Sequence, residues 1–170
     1  EADIRVIDTL CASLGYGLVV KEAARLRDEG QSIDQIVAQS RYYAEHMEHI
    51  FTVDDLEYLY RGGRVSKTAA FMGTLLKIKP ILHMDEGKLI PLEKMRGTKK
   101  AYKRLLDMMD ERSADLKNQI VGISHSDCLE NAEILADEIK KRYDVKQVEI
   151  RMIGSVIGSH TGPGTIAIFF

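Results

Sequence analysis

His160 stands out because hydroxyl side chains and glycines surround it near the end of the chain. The hydroxyls of Ser159 and Thr161 can donate hydrogen bonds. Gly162 and Gly164 would let backbone amides approach a ligand closely. An imidazole, hydroxyls and amides together are groups that bind an anion, but a glycine-rich turn that only delivers the last strand explains the same residues. The segment therefore predicts either an anion-binding loop or a structural turn.

A second unusual segment, Arg61-Gly-Gly-Arg64, ends a short helical pattern. Its glycines permit positive φ at a helix end, and its arginines can interact with the last helical carbonyls or hold an anion. Structural use is the simpler interpretation. The next helical pattern starts at Ser66 and offers candidate walls for an apolar pocket, although apolar residues at this spacing more often belong to a core. These candidate walls are Phe71, Met72, Leu75 and Leu76.

Other patterns argue against a nucleotide site and a metal site. Residues 162–167 match the spacing G-x-G-x-x-A, but that motif needs a helix after it, and here a terminal strand follows. His46 and His49 lie three residues apart, yet nothing nearby completes the three or four ligands of a zinc site. His125 lies at a predicted strand end, where it can line a crevice or make local hydrogen bonds. We therefore expect no metal and no nucleotide cofactor.

The composition is that of an ordinary globular protein: 45% of the 170 residues are hydrophobic and 29% are charged. The net charge of -2 argues against a nucleic-acid binder, because there is no excess of Lys and Arg to neutralise phosphates. The two cysteines show no disulfide framework, which favours a reducing cytoplasm. No apolar run approaches the roughly 18 residues of a membrane span, so we expect no stable membrane insertion.

The periodicity predicts an α/β fold with a mixed sheet and helices mainly on one face. Strands are predicted at residues 4–8, 49–53, 77–85, 88–95, 119–124, 145–153 and 165–170. Helices are predicted at residues 12–29, 32–47, 54–61, from 66 onward, 98–114 and 130–143. Ser32 and Asp54 are the predicted helix caps, and Pro80 and Pro91 indicate edge or bulged strand positions.

The order and separation of the two glycine-containing segments resemble the DegV family of bacterial fatty-acid-binding proteins. Residues 54–66 and His160-Thr-Gly-Pro-Gly164 carry the resemblance, together with Ala12-Ser-Leu-Gly15 near the start. The family includes the lipid-carrying subunit of fatty acid kinase. The resemblance implies a noncatalytic protein that holds a long-chain fatty acid in an apolar tunnel and presents its carboxylate to a separate ATP-dependent kinase.

The same resemblance implies the site residues. The matching glycine segment lies near the lipid carboxylate in DegV-like proteins, so it implies a headgroup network. Its predicted members are Ser13, Ser159, His160, Thr161, Gly162 and Gly164. Arg96, Lys99 and Lys100 fall at a helix start, where the helix dipole would prefer acidic groups. A solvated basic face is the default interpretation, but in kinase-associated relatives this segment belongs to a surface implicated in kinase docking.

The resemblance also implies that residues 1–47 are the remnant of an N-terminal α/β domain and residues 48–170 are the C-terminal domain. Family members normally have a substantial segment before this region, with hydroxyls that grip the carboxylate. We therefore expect a fragment that binds fatty acid weakly or not at all. Two alternatives remain: an α/β enzyme that uses His160 as general acid or base, and a noncatalytic interaction domain whose glycine segments are structural.

Overall fold

A computed structural model describes residues 2–66 and 78–170 of the chain. The described strands are β1 (His49–Thr52), β2 (Ile78–Asp85), β3 (Lys88–Arg96), β4 (Ile120–His125), β5 (Gln147–Met152) and β6 (Ile166–Phe169). The described helices are α1 (Ser13–Asp28), α2 (Ile33–His46), α3 (Glu57–Arg61), α4 (Thr98–Arg112), α5 (Leu129–Arg142) and α6 (Ser155–Thr161).

The strands form one six-stranded sheet in the order β3-β2-β1-β6-β4-β5. β4 and β5 are parallel and are connected through α5, whereas the other neighbouring strands are antiparallel. A parallel pair needs a long crossover connection, and a helix commonly supplies it. The prediction of an α/β fold with a mixed sheet is confirmed.

Alternating side chains along the central strands build two cores. Ile50 and Ile123 belong to a cluster with the buried face of α4 and α5. Phe51 and Phe169 belong to a second cluster on the opposite face, where α1 packs. A Cβ on Gly122 of β4 would lie 2.9 Å from Leu14 of α1, so this glycine permits close helix-to-strand packing. The division into domains at residue 47 stays a prediction, although α1 lies directly on the sheet.

Local chemistry explains the predicted hairpin and the second helix. Glu86 and Gly87 both have positive φ, as a two-residue hairpin turn between β2 and β3 requires. Pro91 lies on the edge strand β3, beside a bulge in its pairing with β2. Ser32 caps α2 as predicted, because its hydroxyl accepts from the Gln35 amide while the Gln35 side chain accepts from the Ser32 amide.

Two predicted features are wrong. Residues 2–12 form no regular secondary structure, and Ile4 and Val6 are 81% and 88% exposed, so the strand predicted at residues 4–8 is not formed. An alternating pattern makes a strand only where a sheet edge pairs with it. Asp54 is not the cap of α3, whose N-cap is Leu56. Asp55 instead accepts the amide of Glu57 at 2.8 Å in a local turn.

Candidate functional site

The two segments singled out from the sequence pack against each other through α3 and α6. The imidazole of His160 lies on the backbone of Gly62, where any Cβ would overlap its Nδ1 atom. Glycine at position 62 therefore makes room for the histidine ring. His160 is half-buried at the C-terminal end of α6.

The turn after α6 depends on two left-handed glycines. Gly162 has φ +77°, and a Cβ there would lie 2.5 Å from the Tyr58 ring of α3. Gly164 has φ +74°, and a Cβ there would overlap the carboxylate of Asp54. Both the backbone conformation and the space available exclude a larger residue. This turn fixes where the end of α6 lies relative to α3.

The segment around His160 is not the loop predicted from its glycines. Residues 155–161 form the short helix α6, because the Gly158 amide donates to Gly154 and the Gly162 amide donates to Gly158, at 2.9 and 2.8 Å. The Gly164 amide donates to the Ser126 carbonyl at 2.7 Å. Both amides expected to face an anion are thus already bonded to backbone carbonyls. Gly158 lowers the helix propensity of α6, but tertiary contacts stabilise the helix nevertheless.

The hydroxyls beside His160 have different surroundings. Ser159 is exposed, and its hydroxyl donates to the Val156 carbonyl at 2.8 Å. Thr161 is only 7% exposed, and among the described residues its Oγ1 has no hydrogen-bond partner. The Thr165 hydroxyl donates to the Thr161 and Gly162 carbonyls, at 3.1 and 2.9 Å, and closes the turn. Thr161 is therefore the polar side chain here that still needs a partner.

Ser13 lies in a separate cleft of about 280 Å³ beside the start of α6. Its hydroxyl is 3.0 Å from that of Ser124, which is 1% exposed. No side chain caps the N-terminus of α1, and no acidic residue lies in its first turn. Ser124, near the end of β4, is not among the site residues predicted from the sequence, although the next residue, His125, is a candidate there. The cleft is lined by Ser13, Leu14, Gly17, Ser124, Arg151, Met152, Gly154 and Ile157.

The cleft and the His160 segment adjoin through α6, since Gly154 and Ile157 line the cleft six and three residues before His160. None of the residues from 158 to 165 lines the cleft. The structure thus brings the predicted residues into two neighbouring places, with Ser13 in the cleft and His160 on the Gly62 turn. The roles of the predicted site residues stay predictions.

His125 and His49 are buried and serve the fold. The Nδ1 atom of His125 accepts the Cys128 amide at 3.4 Å, which is the local bonding expected as one of its two alternatives. His49 is 4% exposed, and its ring packs edge-on against Phe169 with centroids 5.0 Å apart. Burial lowers the pKa of His49 to about 4, although a hydrogen bond to the Met47 backbone opposes the shift. His46 is exposed, and its Nδ1 atom lies 2.7 Å from the Tyr42 carbonyl, so the two histidines have different partners.

Two arginines of the Gly62 turn hold the local structure. Arg64 donates to the Gly62 carbonyl at 2.7 Å, and Arg61 pairs with Glu57 one helical turn earlier at 3.0 Å. The structural interpretation of these arginines agrees with these contacts. Lys79 at the start of β2 forms an ion pair with Asp54, whose carboxylate abuts Gly164.

The predicted docking residues lie around the start of α4. Arg96, Lys99 and Lys100 are exposed, and none makes an ion pair within residues 2–66 and 78–170. Gly97, with φ +88°, precedes the helix without a side-chain cap. The four predicted tunnel-wall residues, 71, 72, 75 and 76, lie outside the described residues.

A second cavity, of about 370 Å³, lies between residues 8–12 and the tip of the β2–β3 hairpin. Cys11 lines it, and burial raises the pKa of this thiol to about 11, which makes it a poor nucleophile at neutral pH. Across the part of the chain that the structure describes, no three His, Cys, Asp or Glu side chains converge to hold a metal ion. In the same part, no helix has the length and apolar character needed to cross a membrane.

This chain is similar in sequence and in structure to several known proteins. The DegV domain-containing protein CPE0026 of Clostridium perfringens is 47% identical, with 100% of this chain and 59% of the relative covered. A fatty-acid-binding DegV family protein from Thermus thermophilus is 34% identical, and its structure has a TM-score of 0.90 over 97% of this chain and 59% of that one.

The fatty acid kinase B3 protein of Streptococcus pneumoniae, loaded with linoleic acid, has a TM-score of 0.89. It is 22% identical over 99% of this chain and 59% of that one, so this likeness concerns the fold. The chain thus spans about three fifths of the length of these proteins. The family model described as DegV family matches residues 1–170, and the chain belongs to the DegV family.

Proposed function

We propose that this chain forms the larger part of a fatty-acid-binding protein that presents its ligand's carboxylate to a separate ATP-dependent kinase. The carboxylate lies between the cleft with Ser13 and the end of α6 with His160 and Thr161. The exchange with the kinase takes place in the cytoplasm, where ATP is available. The Thermus thermophilus relative, described as binding fatty acid, supports the ligand class.

One observation carries the proposal most directly. Thr161 has a buried hydroxyl without a hydrogen-bond partner in residues 2–66 and 78–170, and the half-buried imidazole of His160 lies one residue away against Gly62. A buried hydroxyl left unpaired costs about 1 to 3 kcal/mol, so a ligand oxygen that pairs with it would recover that cost. Ser13 and Ser124 add a hydroxyl pair in the adjoining cleft.

The acyl chain supplies most of the affinity in this proposal. Burial of each methylene contributes about 0.8 kcal/mol, whereas a headgroup hydrogen bond adds about 1 kcal/mol net. Leu14, Met152 and Ile157 give the cleft an apolar wall. Its volume of about 280 Å³ lies just below the range of ligand sites, which commonly enclose about 300 to 1,000 Å³. Further wall must come from beyond the cleft, and residues 71, 72, 75 and 76 are our candidates.

The exposed cations at the start of α4 are the proposed kinase surface. Arg96, Lys99 and Lys100 are not engaged in ion pairs with the described residues, so an acidic partner surface can pair with them. Positive side chains near a helix N-terminus are repelled by the positive end of the helix dipole. An acidic partner would offset that repulsion.

The alternative of an enzyme that uses His160 as general acid or base lacks a supporting contact. In the described ranges, no carboxylate is hydrogen-bonded to His160, whereas a catalytic histidine is commonly oriented by such a group. The imidazole ring of His160 instead packs against the backbone of Gly62.

Native purification followed by lipid extraction and mass spectrometry tests the proposal. The Clostridium perfringens relative, which extends well beyond the matched region, is the reference protein. We expect acyl carboxylates from the reference and calorimetric binding of oleate to this chain that is weaker than to the reference. Thr161→Val should weaken the residual binding about fivefold, as the loss of one hydrogen bond.

Three results would count against the proposal. Absence of oleate binding to both proteins would refute the ligand class. An unchanged affinity in Thr161→Val would refute the placement of the carboxylate. Turnover of a small substrate by the chain without any kinase would favour the enzyme alternative instead.

A further inference from the structure

We propose that Asp54 and Lys79 are positioning residues that hold the end of α6, and with it His160 and Thr161, in its ligand-ready place. The inference rests on the proposed function, because it assigns a headgroup role to those two side chains. Asp54 follows β1, and Lys79 is the second residue of β2, so the pair spans two neighbouring strands.

The first step is the contact between Asp54 and Gly164. The carboxylate occupies the volume that a side chain at position 164 would need, while Gly164 has φ +74°. The Gly164 amide is also bonded to the Ser126 carbonyl at 2.7 Å. The carboxylate packs against Gly164 on one side and the Ser126 carbonyl binds its amide on another, so a shift of the turn toward Asp54 would displace the carboxylate.

The second step leads from the turn to the site. Thr165 is 1% exposed, and its hydroxyl donates hydrogen bonds to the carbonyls of Thr161 and Gly162, at 3.1 and 2.9 Å. The Tyr58 ring lies against Gly162, and the His160 ring lies against Gly62. A displacement at Gly164 is thus transmitted through the Thr165 hydroxyl, by one hydrogen bond to Thr161 and one to Gly162, and it reaches His160 through the last turn of α6.

Lys79 holds the Asp54 carboxylate, from which the contacts to Gly164, Thr165 and Thr161 begin. The Lys79 side chain is 15% exposed and that of Asp54 is 53% exposed, so the ammonium is the more enclosed partner and the carboxylate reaches outward to the turn. The negative charge of Asp54 also contributes to the raised pKa of Tyr102 and Cys128, after burial as the main cause. Tyr102 and Cys128 therefore lie within the electrostatic field of Asp54, and Lys79 is the cation that pairs with it.

The expected consequence is a loss of headgroup discrimination. Lys79→Met removes the ammonium and keeps an unbranched side chain of similar length, so Asp54 is free to leave Gly164. The acyl chain would still enter its apolar surroundings, but the carboxylate would meet a displaced Thr161. Binding of oleate should fall about fivefold relative to binding of oleyl alcohol, the equivalent of one hydrogen bond.

The experiment combines NMR with this pair of lipids on the full chain. We expect Lys79→Met to shift the His160 imidazole and Thr161 amide resonances and to lower the preference for oleate over oleyl alcohol about fivefold. Lys79→Arg, which restores a cation, should return both readouts toward the wild type. Lys103→Met is the matched control, because it breaks an exposed ion pair with Asp107 at 2.7 Å within α4.

Unchanged His160 and Thr161 resonances in a folded Lys79→Met protein would overturn the inference, as would equal shifts in the Lys103→Met control. Should Lys79→Met fail to fold, Asp54→Asn removes the charge with little change in shape and is read in the same way. Should neither the wild-type chain nor the Clostridium perfringens relative bind either lipid, the proposed function fails, and the resonances alone decide whether the pair positions the end of α6.

Discussion

Replacement of His49 by glutamine should make folding of this protein less sensitive to acid. His49 lies 4% exposed on β1, between the backbone of Gly15 and the ring of Phe169, and its Nε2 atom has no partner among the described residues. Burial lowers its pKa from 6.5 to about 4. The folded protein therefore keeps the ring neutral at pH values where the unfolded chain protonates it.

The size and sign of the effect follow from this difference. A depressed histidine pKa gives full stability above pH 6.5, and the stability falls as the pH drops from 6.5 toward 4, because the unfolded state binds the proton first. One pH unit in this window corresponds to about 1.4 kcal/mol, so the loss between pH 7.5 and pH 5 is about 2 kcal/mol. For a domain of this size the loss equals about 4 to 8 °C in Tm.

The assay is urea unfolding at pH 7.5 and at pH 5, on the wild type and on His49→Gln. Glutamine does not titrate, so the variant should lose about 2 kcal/mol less than the wild type between the two pH values. The cost of the substitution itself cancels, because only the change with pH is compared. Carboxylates and the other histidines titrate in both proteins and cancel in the same way.

His46→Gln is the control, because His46 is an exposed histidine at the end of α2 only three residues away. This variant removes an exposed imidazole in place of a buried one, so it separates the effect of burial from the loss of a histidine as such. An equal loss of stability in the wild type and in His49→Gln would refute the reasoning, since it would mean that His49 titrates alike in the folded and unfolded chains.

Three further predictions concern the turn, the cleft and the basic surface. Gly164→Ala should lower the free energy of unfolding by about 1 to 3 kcal/mol in urea titrations, because it strains a left-handed backbone and displaces the Asp54 carboxylate; stability within error of the wild type would contradict this. Ser13→Ala should cost about 1 kcal/mol by leaving the buried Ser124 hydroxyl unpaired, and an unchanged urea midpoint would count against that contact. Arg96→Ala should weaken kinase docking while oleate binding stays intact, so unchanged kinase-supported turnover would defeat the docking assignment.

Most of the helices and strands could be predicted from the sequence, because their signals are local. Ser32 and Gln35 form their capping box within one turn, and Glu86-Gly87 supplies the conformations that a tight hairpin needs. The predicted strand at residues 4–8 failed for the opposite reason, since a strand depends on a partner that its own residues do not specify. α6 was missed because Gly154 and Gly158 resemble turn residues, and only its packing on α3 makes the helix favourable.

The sequence by itself determined the mixed α/β architecture, the family resemblance and the residues at which a headgroup site was expected. The tertiary structure decided which of those residues meet. Ser13 reaches Ser124 across 111 positions, and Gly164 meets Asp54 only after the strands have paired. Contacts of this kind depend on how helices pack on a sheet to within a fraction of an ångström, and residue types alone do not carry that information.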